Sequence, residues 1–175
     1  MLHIKVPATS ANMGPGFDCA GIALQLYNEI WVETIPSGIE ISSKTNENIP
    51  KDESNLIYST IRDFYEAENI PMPGIRLIQD DHIPMTRGLG SSAACIVGGL
   101  IAANILSGKN YSKEELAQKA AKLEGHPDNS NPAIFGDMII SAMYSEGMKY
   151  VKLNVPKNIL FAVMIPEFTL STKKA

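Results

Sequence analysis

The chain has 175 residues, of which 45% are hydrophobic and 19% charged, a composition typical of a folded globular domain and not of a disordered or fibrous chain. Its formal net charge is −4. Because it also lacks a run of basic residues, nucleic acid is not expected as its main partner. A chain of this length predicts one domain with a hydrophobic core.

The sequence has no feature of a membrane or secreted protein. Lys5 is the only Lys or Arg among the first twelve residues, which contain no apolar segment of the signal-peptide kind. The longest apolar stretch, residues 93–106, is shorter than the ~20 residues of a membrane span and is expected to be a buried helix. We therefore expect a cytoplasmic protein with no membrane partner. Cys19 and Cys95 are expected to be small buried thiols, and the spacing of the three histidines does not predict a zinc site.

The amino-terminal part of the chain predicts antiparallel strands. Residues 2–6 alternate loosely between apolar and polar side chains and form a predicted strand that ends at Pro7. Two further strands are predicted at residues 27–35 and 39–43, and Pro36-Ser37-Gly38 between them is typical of a tight turn. We expect these two strands to pair as a hairpin.

The rest of the sequence predicts a helix, a strand, two helices and then three strands. The first is a helix that Ser54 can cap and that ends before Pro71, and a strand follows at 75–78. A nearly wholly apolar helix is predicted at 91–106, and a more polar helix begins at a capping box formed by Ser112 and ends at Gly125. The last predicted elements are strands at 138–143, 149–153 and 158–165. This order predicts an α+β domain, a mostly antiparallel sheet with helices on one face.

A glycine-rich turn that opens directly into the apolar helix is the strongest candidate for a functional segment. It comprises Pro84, Met85, Thr86, Arg87, Gly88, Leu89, Gly90, Ser91, Ser92, Ala93 and Ala94. Gly88 and Gly90 can adopt positive φ and let a ligand approach the backbone. The first N–H groups and the dipole of the helix favour phosphate, and the two serines can hold phosphate oxygens or a hydrated Mg²⁺. The segment matches neither familiar phosphate loop, and taken alone it fits a tight turn before a capped helix at least as well.

Two more loops are dense in short polar side chains, and the three together resemble a known superfamily. The loops are V-P-A-T-S-A-N-M-G-P-G-F-D from Val6 and E-G-H-P-D-N-x-x-P-A-I-F-G from Glu124. The central loop has the pattern P-x-x-x-G-L-G-S-S-A of galactokinase, homoserine kinase, mevalonate kinase and phosphomevalonate kinase. The outer loops are similar to the homoserine kinase family in particular. This resemblance implies a ribosomal protein S5 domain 2-like fold and ATP-dependent phosphorylation of the L-homoserine side-chain hydroxyl in threonine biosynthesis.

The resemblance also implies roles for the residues at matching positions. Residues 84–94 would bind ATP, with Ser92 or Ser91 and the carboxylate of Glu124 holding Mg²⁺. The implied substrate-binding residues are Asn12, Asp18, His126 and Thr172. Asn129 stands where mevalonate kinase and galactokinase have an aspartate that can act as a base. Since an amide cannot take a proton, catalysis would rest on positioning and on charge neutralisation, with Asn129 and Glu124 as catalytic residues.

The residues alone leave simpler interpretations open. Glu124 could be an exposed carboxylate at a helix end, His126 a cap of the helix C-terminus, and Asp18 the cap of a helix that begins nearby. Asp128, after Pro127, is expected to form an Asx turn.

The chain differs from the family pattern at two places. Ser130-Asn131 replaces a Val-Ala pair, and Asp137 replaces the last glycine of the third motif. Because the sequence stops one residue before the family's arginine, residues 1–175 are expected to be an N-terminal ATP-binding kinase domain whose C-terminal domain is absent from this chain. The alternatives are another small-alcohol kinase, such as a mevalonate-kinase-like enzyme, or a non-catalytic nucleotide- or RNA-binding module. The sequence leaves open whether the protein is a homodimer.

Overall fold

The computed structural model describes residues 1–165. These residues contain six strands, β1 (Leu2–Ala11), β2 (Ala20–Ile35), β3 (Ile39–Ser43), β4 (Gly74–Asp80), β5 (Met138–Tyr144) and β6 (Gly147–Leu153), and four helices, α1 (Leu56–Ala67), α2 (Ser91–Ser107), α3 (Lys113–Glu124) and α4 (Ser130–Phe135). The strands form one sheet in the order β3-β4-β2-β5-β6, with β1 also paired to β2. Only the β3–β4 pair is parallel among them, so the predicted mostly antiparallel α+β fold is confirmed.

Strand β1 continues five residues beyond the predicted strand, through Pro7 to Ala11. Its pairing with β2 shifts register between Pro7 and Thr9. Because proline has no N–H to give to a ladder, it is tolerated at such an irregularity, and the prediction that the strand ends at Pro7 was wrong. Thr9 therefore lies within β1, just before the part of the first polar loop that is not in a strand.

Strands β2 and β3 do not pair with each other, so the predicted hairpin was wrong. Strand β4 lies between them, antiparallel to β2 and parallel to β3. Arg76 on β4 bridges its two neighbours, with Nη1 2.6 Å from Glu33 and Nε 2.7 Å from Glu40. A turn signal such as Pro36-Ser37-Gly38 is local and does not reveal that a later strand will occupy the gap.

Helix α2 is buried between the sheet and α1, as its apolar sequence predicted. A Cβ at Gly98 would lie 2.3 Å from Ile30 Cδ1, and one at Gly99 would lie 2.8 Å from Thr60 Cβ. The two glycines therefore allow α2 to contact both layers closely. The polar helix begins at the predicted capping box of Ser112, whereas α1 is capped by Asn55 and not by Ser54, one residue earlier.

The helices cover one face of the sheet. Strand residues such as Val6, Val32 and Leu77 are buried in one cluster with residues of α1 and α2. The alternate residues on these strands include charged side chains such as Lys5 and Arg76, which lie on the opposite face. No helix in residues 1–165 is long and apolar enough to cross a membrane.

The structure differs from the sequence predictions at two further places. Residues 158–165, predicted to be a strand, form no regular element and are exposed, because an apolar run without a period does not identify a strand. Helix α4 was not predicted; Pro132 lies in its first turn, where a missing N–H is tolerated.

Cys19 and Cys95 are free thiols as expected, but both residues are only partly buried. Burial of its thiol raises the pKa of Cys95 to about 12.

Candidate functional site

The glycine-rich turn leads into α2 through a backbone with several left-handed residues. Thr86, Gly88 and Gly90 have φ values of +56°, +72° and +67°. Gly90 is the N-cap residue of α2 and no side chain in the described residues caps this helix. The N–H groups of the first turn are therefore left for solvent or an anion. Ser91 is half-buried and Ser92 is exposed, so both hydroxyls are accessible.

Thr9 joins the three polar loops that lie far apart in the sequence. Its backbone N–H donates to the carbonyl oxygen of Leu89 at 3.1 Å, and its hydroxyl donates to Asn129 Oδ1 at 2.8 Å. The first loop, the glycine-rich turn and the third loop therefore meet at one side chain. Sequence reasoning missed Thr9 because it pointed to the loop as a whole and to Asn12 and Asp18 within it.

Gly90 is required by this junction as well as by its backbone angle. A Cβ at Gly90 would lie 2.0 Å from Thr9 Oγ1 and 3.1 Å from Asn129 Oδ1. Any side chain here would therefore displace Thr9. By contrast, nothing in the described residues lies within 4 Å of a Cβ added at Gly88, so the space beside Gly88 is open.

The first loop is held by its own polar groups. The N–H of Asp18 donates to Asn12 Oδ1 at 2.8 Å, and both residues have positive φ, +55° and +58° respectively. Both side chains are exposed. Asp18 does not cap a helix, because the chain enters strand β2 at Ala20. The Asp18 carboxylate is accessible to a cationic group of a ligand.

Glu124, the last residue of α3, has a carboxylate oxygen in an unusual environment. Its Oε2 is buried and has no hydrogen-bond partner among the described residues. Burial raises the pKa of Glu124 to about 7, the carboxylate of Asp128 raises it further, and His126 opposes the shift. The interpretation of Glu124 as an exposed helix-end carboxylate is therefore wrong. A buried oxygen without a partner fits a residue that holds a cation.

His126 and Asp128 form a pair next to Glu124. His126 Nδ1 lies 2.5 Å from Asp128 Oδ1, and Asp128 is 1% exposed. Burial lowers the pKa of His126, but the hydrogen bond to Asp128 and the charges of Asp128, Glu124 and Asp18 outweigh it and raise that pKa above its usual value. Asp18 of the first loop is therefore one of the negative charges that act on this histidine.

The simpler interpretations of His126 and Asp128 were both wrong. Helix α3 ends at Gly125, whose N–H donates to Ala121 O at 2.9 Å, so His126 is not its cap. The Asp128 side chain contacts His126 instead of closing an Asx turn. The spacing of His126 and Asp128 around a proline was the available signal for this pair.

The residues that differ from the family pattern have clear places in the fold. Ser130 and Asn131 are fully buried at the start of α4, and Asn131 Nδ2 lies 2.8 Å from Met148 Sδ. Asp137 has a φ of +58°, the backbone region that a glycine adopts most readily, and it pairs with Lys152 at 3.0 Å. A polar aspartate is tolerated in this region better than most residues.

The structure thus brings together most of the predicted site residues it describes. Asn129 lies against the glycine-rich turn through Thr9, and the charges of Glu124 and Asp18 both act on His126. Thr172 lies outside the described residues. No group of three or more His, Cys, Asp and Glu side chains suited to a metal occurs in residues 1–165, so a metal at Glu124 would need ligands of other kinds. Arg87, whose Nη1 is buried without a partner in the same range, is a further polar group of this turn.

Comparisons with known proteins relate this fold and site to one family of kinases. Residues 55–137 match the family described as GHMP kinases N terminal domain, and solved structures similar to this chain are kinases of that family, which have the ribosomal protein S5 domain 2-like fold. The whole chain is 48% identical over 176 residues to the homoserine kinase of Caldicellulosiruptor saccharolyticus and 46% identical over 177 residues to that of Petrotoga mobilis. It spans 57% and 58% of the length of these two relatives.

Solved structures show the same similarity. The homoserine kinase of Cytophaga hutchinsonii matches with a TM-score of 0.76 and 29% identity over 98% of this chain and 58% of that one. The mevalonate kinase of Methanococcus jannaschii matches with a TM-score of 0.66 and 17% identity, over 88% of this chain and 56% of that one. At this lower identity, the second match indicates a shared fold only.

Proposed function

We propose that the protein transfers the γ-phosphate of ATP to the side-chain hydroxyl of L-homoserine, forming O-phospho-L-homoserine in threonine biosynthesis. The observation that carries this proposal is the 48% identity to a homoserine kinase, over a match that spans the whole chain. The meeting of these loops at Thr9 supports it, because phosphoryl transfer requires nucleotide and acceptor to be held side by side.

In this proposal, residues 84–94 bind the phosphates of ATP. The uncapped first turn of α2 supplies N–H donors and the positive end of a 17-residue helix. The left-handed backbone at Gly88 and Gly90 keeps side-chain atoms away from the phosphates. The triphosphate of ATP carries several negative charges, so the N–H donors and the helix dipole would both stabilise it.

Glu124 and Ser92 would hold Mg²⁺ in this site. The buried Oε2 of Glu124, which has no hydrogen-bond partner in residues 1–165, is the feature that fits a cation. The exposed hydroxyl of Ser92 is an oxygen ligand of the kind Mg²⁺ accepts. When bound, Mg²⁺ neutralises charge on the transferring phosphate. The carboxyl group of Glu124 must release its proton to bind the ion. Because the pKa of this group is raised, binding of the ion would depend on pH.

The acceptor would bind between the first and third loops. The exposed carboxylate of Asp18 suits the ammonium group of an amino acid, and Asn12, His126 and Thr172 complete the proposed set of contacts. The hydroxyl oxygen then attacks the γ-phosphorus as the bond to the leaving β-phosphate oxygen breaks. Asn129 orients the hydroxyl, whose proton passes to a phosphate oxygen or to water because an amide is not a base.

The remaining features of the proposal concern the whole protein. We propose a cytoplasmic enzyme in which residues 1–175 form the N-terminal ATP-binding domain, with small molecules as its ligands and neither nucleic acid nor a membrane as a partner. The net charge of −4 supports this choice of ligands. A homodimer is consistent with the proposed function, and light scattering on the complete protein would test for it.

The direct test is turnover by the complete protein that contains this chain. ADP release is measured with ATP, Mg²⁺ and a panel of acceptors that includes L-homoserine, mevalonate and L-serine, and ³¹P NMR identifies the product. We expect L-homoserine to have the highest kcat/KM. A higher value for mevalonate, or the absence of turnover with every acceptor, would contradict the proposed function.

A further inference from the structure

We propose that Thr9 is a positioning residue for this phosphoryl transfer and that it acts by fixing the side-chain amide of Asn129. The inference rests on the proposed function. Thr9 is 0% exposed and lies just after the register shift in β1. Its hydroxyl donates to Asn129 Oδ1 at 2.8 Å, a contact across 120 residues of sequence.

The hydroxyl of Thr9 determines which end of the Asn129 amide is free. A threonine hydroxyl has one proton, and here the proton is donated to Oδ1. The Nδ2 group, with two N–H donors, is then left for the acceptor hydroxyl or a phosphate oxygen. Without this bond the side-chain amide of Asn129 could flip and direct its oxygen towards the substrates, where it would repel phosphate. A group that only donates is what an anionic transition state requires.

Thr9 is itself held by the glycine-rich turn. Its N–H donates to Leu89 O at 3.1 Å, and its hydroxyl would lie 2.0 Å from a Cβ at Gly90. Because threonine is β-branched, its χ1 angle is restricted as well. One side chain therefore sets the position of the Asn129 amide relative to the turn that would bind phosphate, which makes Thr9 a geometric link between nucleotide and acceptor.

The first test compares two substitutions in the complete protein. Thr9→Val keeps the shape and removes the hydroxyl, whereas Thr9→Ser keeps the hydroxyl. We expect Thr9→Val to lower kcat about tenfold, as for one neutral hydrogen bond, and to change KM for ATP and for the acceptor by less than about twofold. Thr9→Ser should restore kcat to within about threefold of wild type. Equal losses of kcat in the two variants, or a change in KM alone, would overturn the proposal.

The second test is a double-mutant cycle with Asn129→Ala. If Thr9 acts through Asn129, Thr9→Val should cause no further loss of kcat once Asn129 is alanine. Two losses that multiply would show that Thr9 acts elsewhere. Thr9→Ala replaces Thr9→Val in the cycle if the valine protein does not fold.

The cycle uses whichever alcohol the wild-type protein phosphorylates best. An acceptor other than homoserine would therefore contradict the proposed substrate and still test the role of Thr9.

Discussion

His126 donates a hydrogen bond from ring Nδ1 to Oδ1 of the buried Asp128, at 2.5 Å. The bond fixes the orientation of the imidazole and leaves Nε2 as the ring nitrogen available to a ligand. Because Asp128 is 1% exposed while the His126 side chain is 32% exposed, the carboxylate acts from the interior on a ring that reaches the site.

Asp128→Asn is expected to lower the pKa of His126. The substitution keeps the shape but removes the carboxylate charge, while the burial that lowers this pKa persists. An NMR titration of the imidazole Cε1–H signals measures the change. The signals of His3 and His82 serve as internal references for the assignment of the His126 signal. An unchanged titration of His126 would show that the pair with Asp128 does not control its charge.

Gly90→Val is expected to weaken ATP binding more than homoserine binding. The valine side chain would displace Thr9 and obstruct the approach of phosphate to the backbone. Gly38→Val is the matched control, because Gly38 also has positive φ, +83°, but has nothing within 4 Å of an added Cβ and lies in the turn between β2 and β3.

Isothermal titration with a non-hydrolysable ATP analogue compares the two glycine variants in the complete protein. Both should lose the stability that a left-handed valine costs, about 1–2 kcal/mol, but only Gly90→Val should lose nucleotide affinity. An equal loss of affinity for both ligands in Gly90→Val would indicate misfolding.

Glu124→Gln is expected to stabilise the protein at pH 8 and to abolish most of its turnover. The pKa of Glu124 is raised from 4.5 to about 7, so the folded state binds a proton more tightly than the unfolded state. Stability therefore falls as pH rises from about 4.5 to 7, by on the order of 3 kcal/mol. Glutamine resembles the protonated form and removes this dependence.

Urea denaturation at pH 5 and pH 8 without Mg²⁺ measures this effect. Glu47→Gln, at an exposed glutamate, is the control and should leave the pH dependence unchanged. A Glu124→Gln protein that is less stable than wild type at pH 8 would contradict the assignment. Unchanged turnover at limiting Mg²⁺ would remove Glu124 from the mechanism.

Glu68→Gln is expected to destabilise the fold at neutral pH but not in acid. Hydrogen bonds from Lys119, Tyr111 and Lys109 lower the pKa of Glu68 from 4.5 to about 2. A lowered carboxyl pKa contributes stability above pH 4.5 that is lost as pH falls towards 2. Thermal unfolding between pH 7 and pH 2 should show a gap in Tm that closes in acid. Glu66→Gln, at an exposed position in the last turn of α1, is the control, and its difference in Tm from wild type should not close in acid.

The sequence predicted the features that depend on local patterns. The apolar helix α2 and the capping box at Ser112 are both encoded within a few residues, and both are confirmed. The three polar loops were recognised for the same reason. The insertion of β4 between β2 and β3 depends on a distant segment, and a local turn signal does not contain it.

The contacts within the candidate site were harder to predict than its residues. Thr9 is one small polar residue in a loop rich in them, and only the fold shows that its hydroxyl contacts Asn129. Asp128 follows a proline and resembles a turn residue, so its burial against His126 also required the structure. Spatial partners far apart in sequence leave no periodic pattern.

Strand β2 has a consequence for the order in which the chain acquires its structure. It pairs with its neighbour in sequence, β1, but also places Ala20 opposite Ile140. The first pairing closes a short loop, whereas the second must wait until β5 has left the ribosome and has a larger entropic cost of loop closure. Thr9 lies on β1, which pairs with β2, and Asn129 precedes α4, which leads into β5, so the late pairing of β2 with β5 brings the two residues together. The candidate site is therefore assembled only after β5 has joined the sheet, and a nascent chain that already contains β1, β2 and α1 still lacks the Thr9–Asn129 contact on which the proposed acceptor site depends.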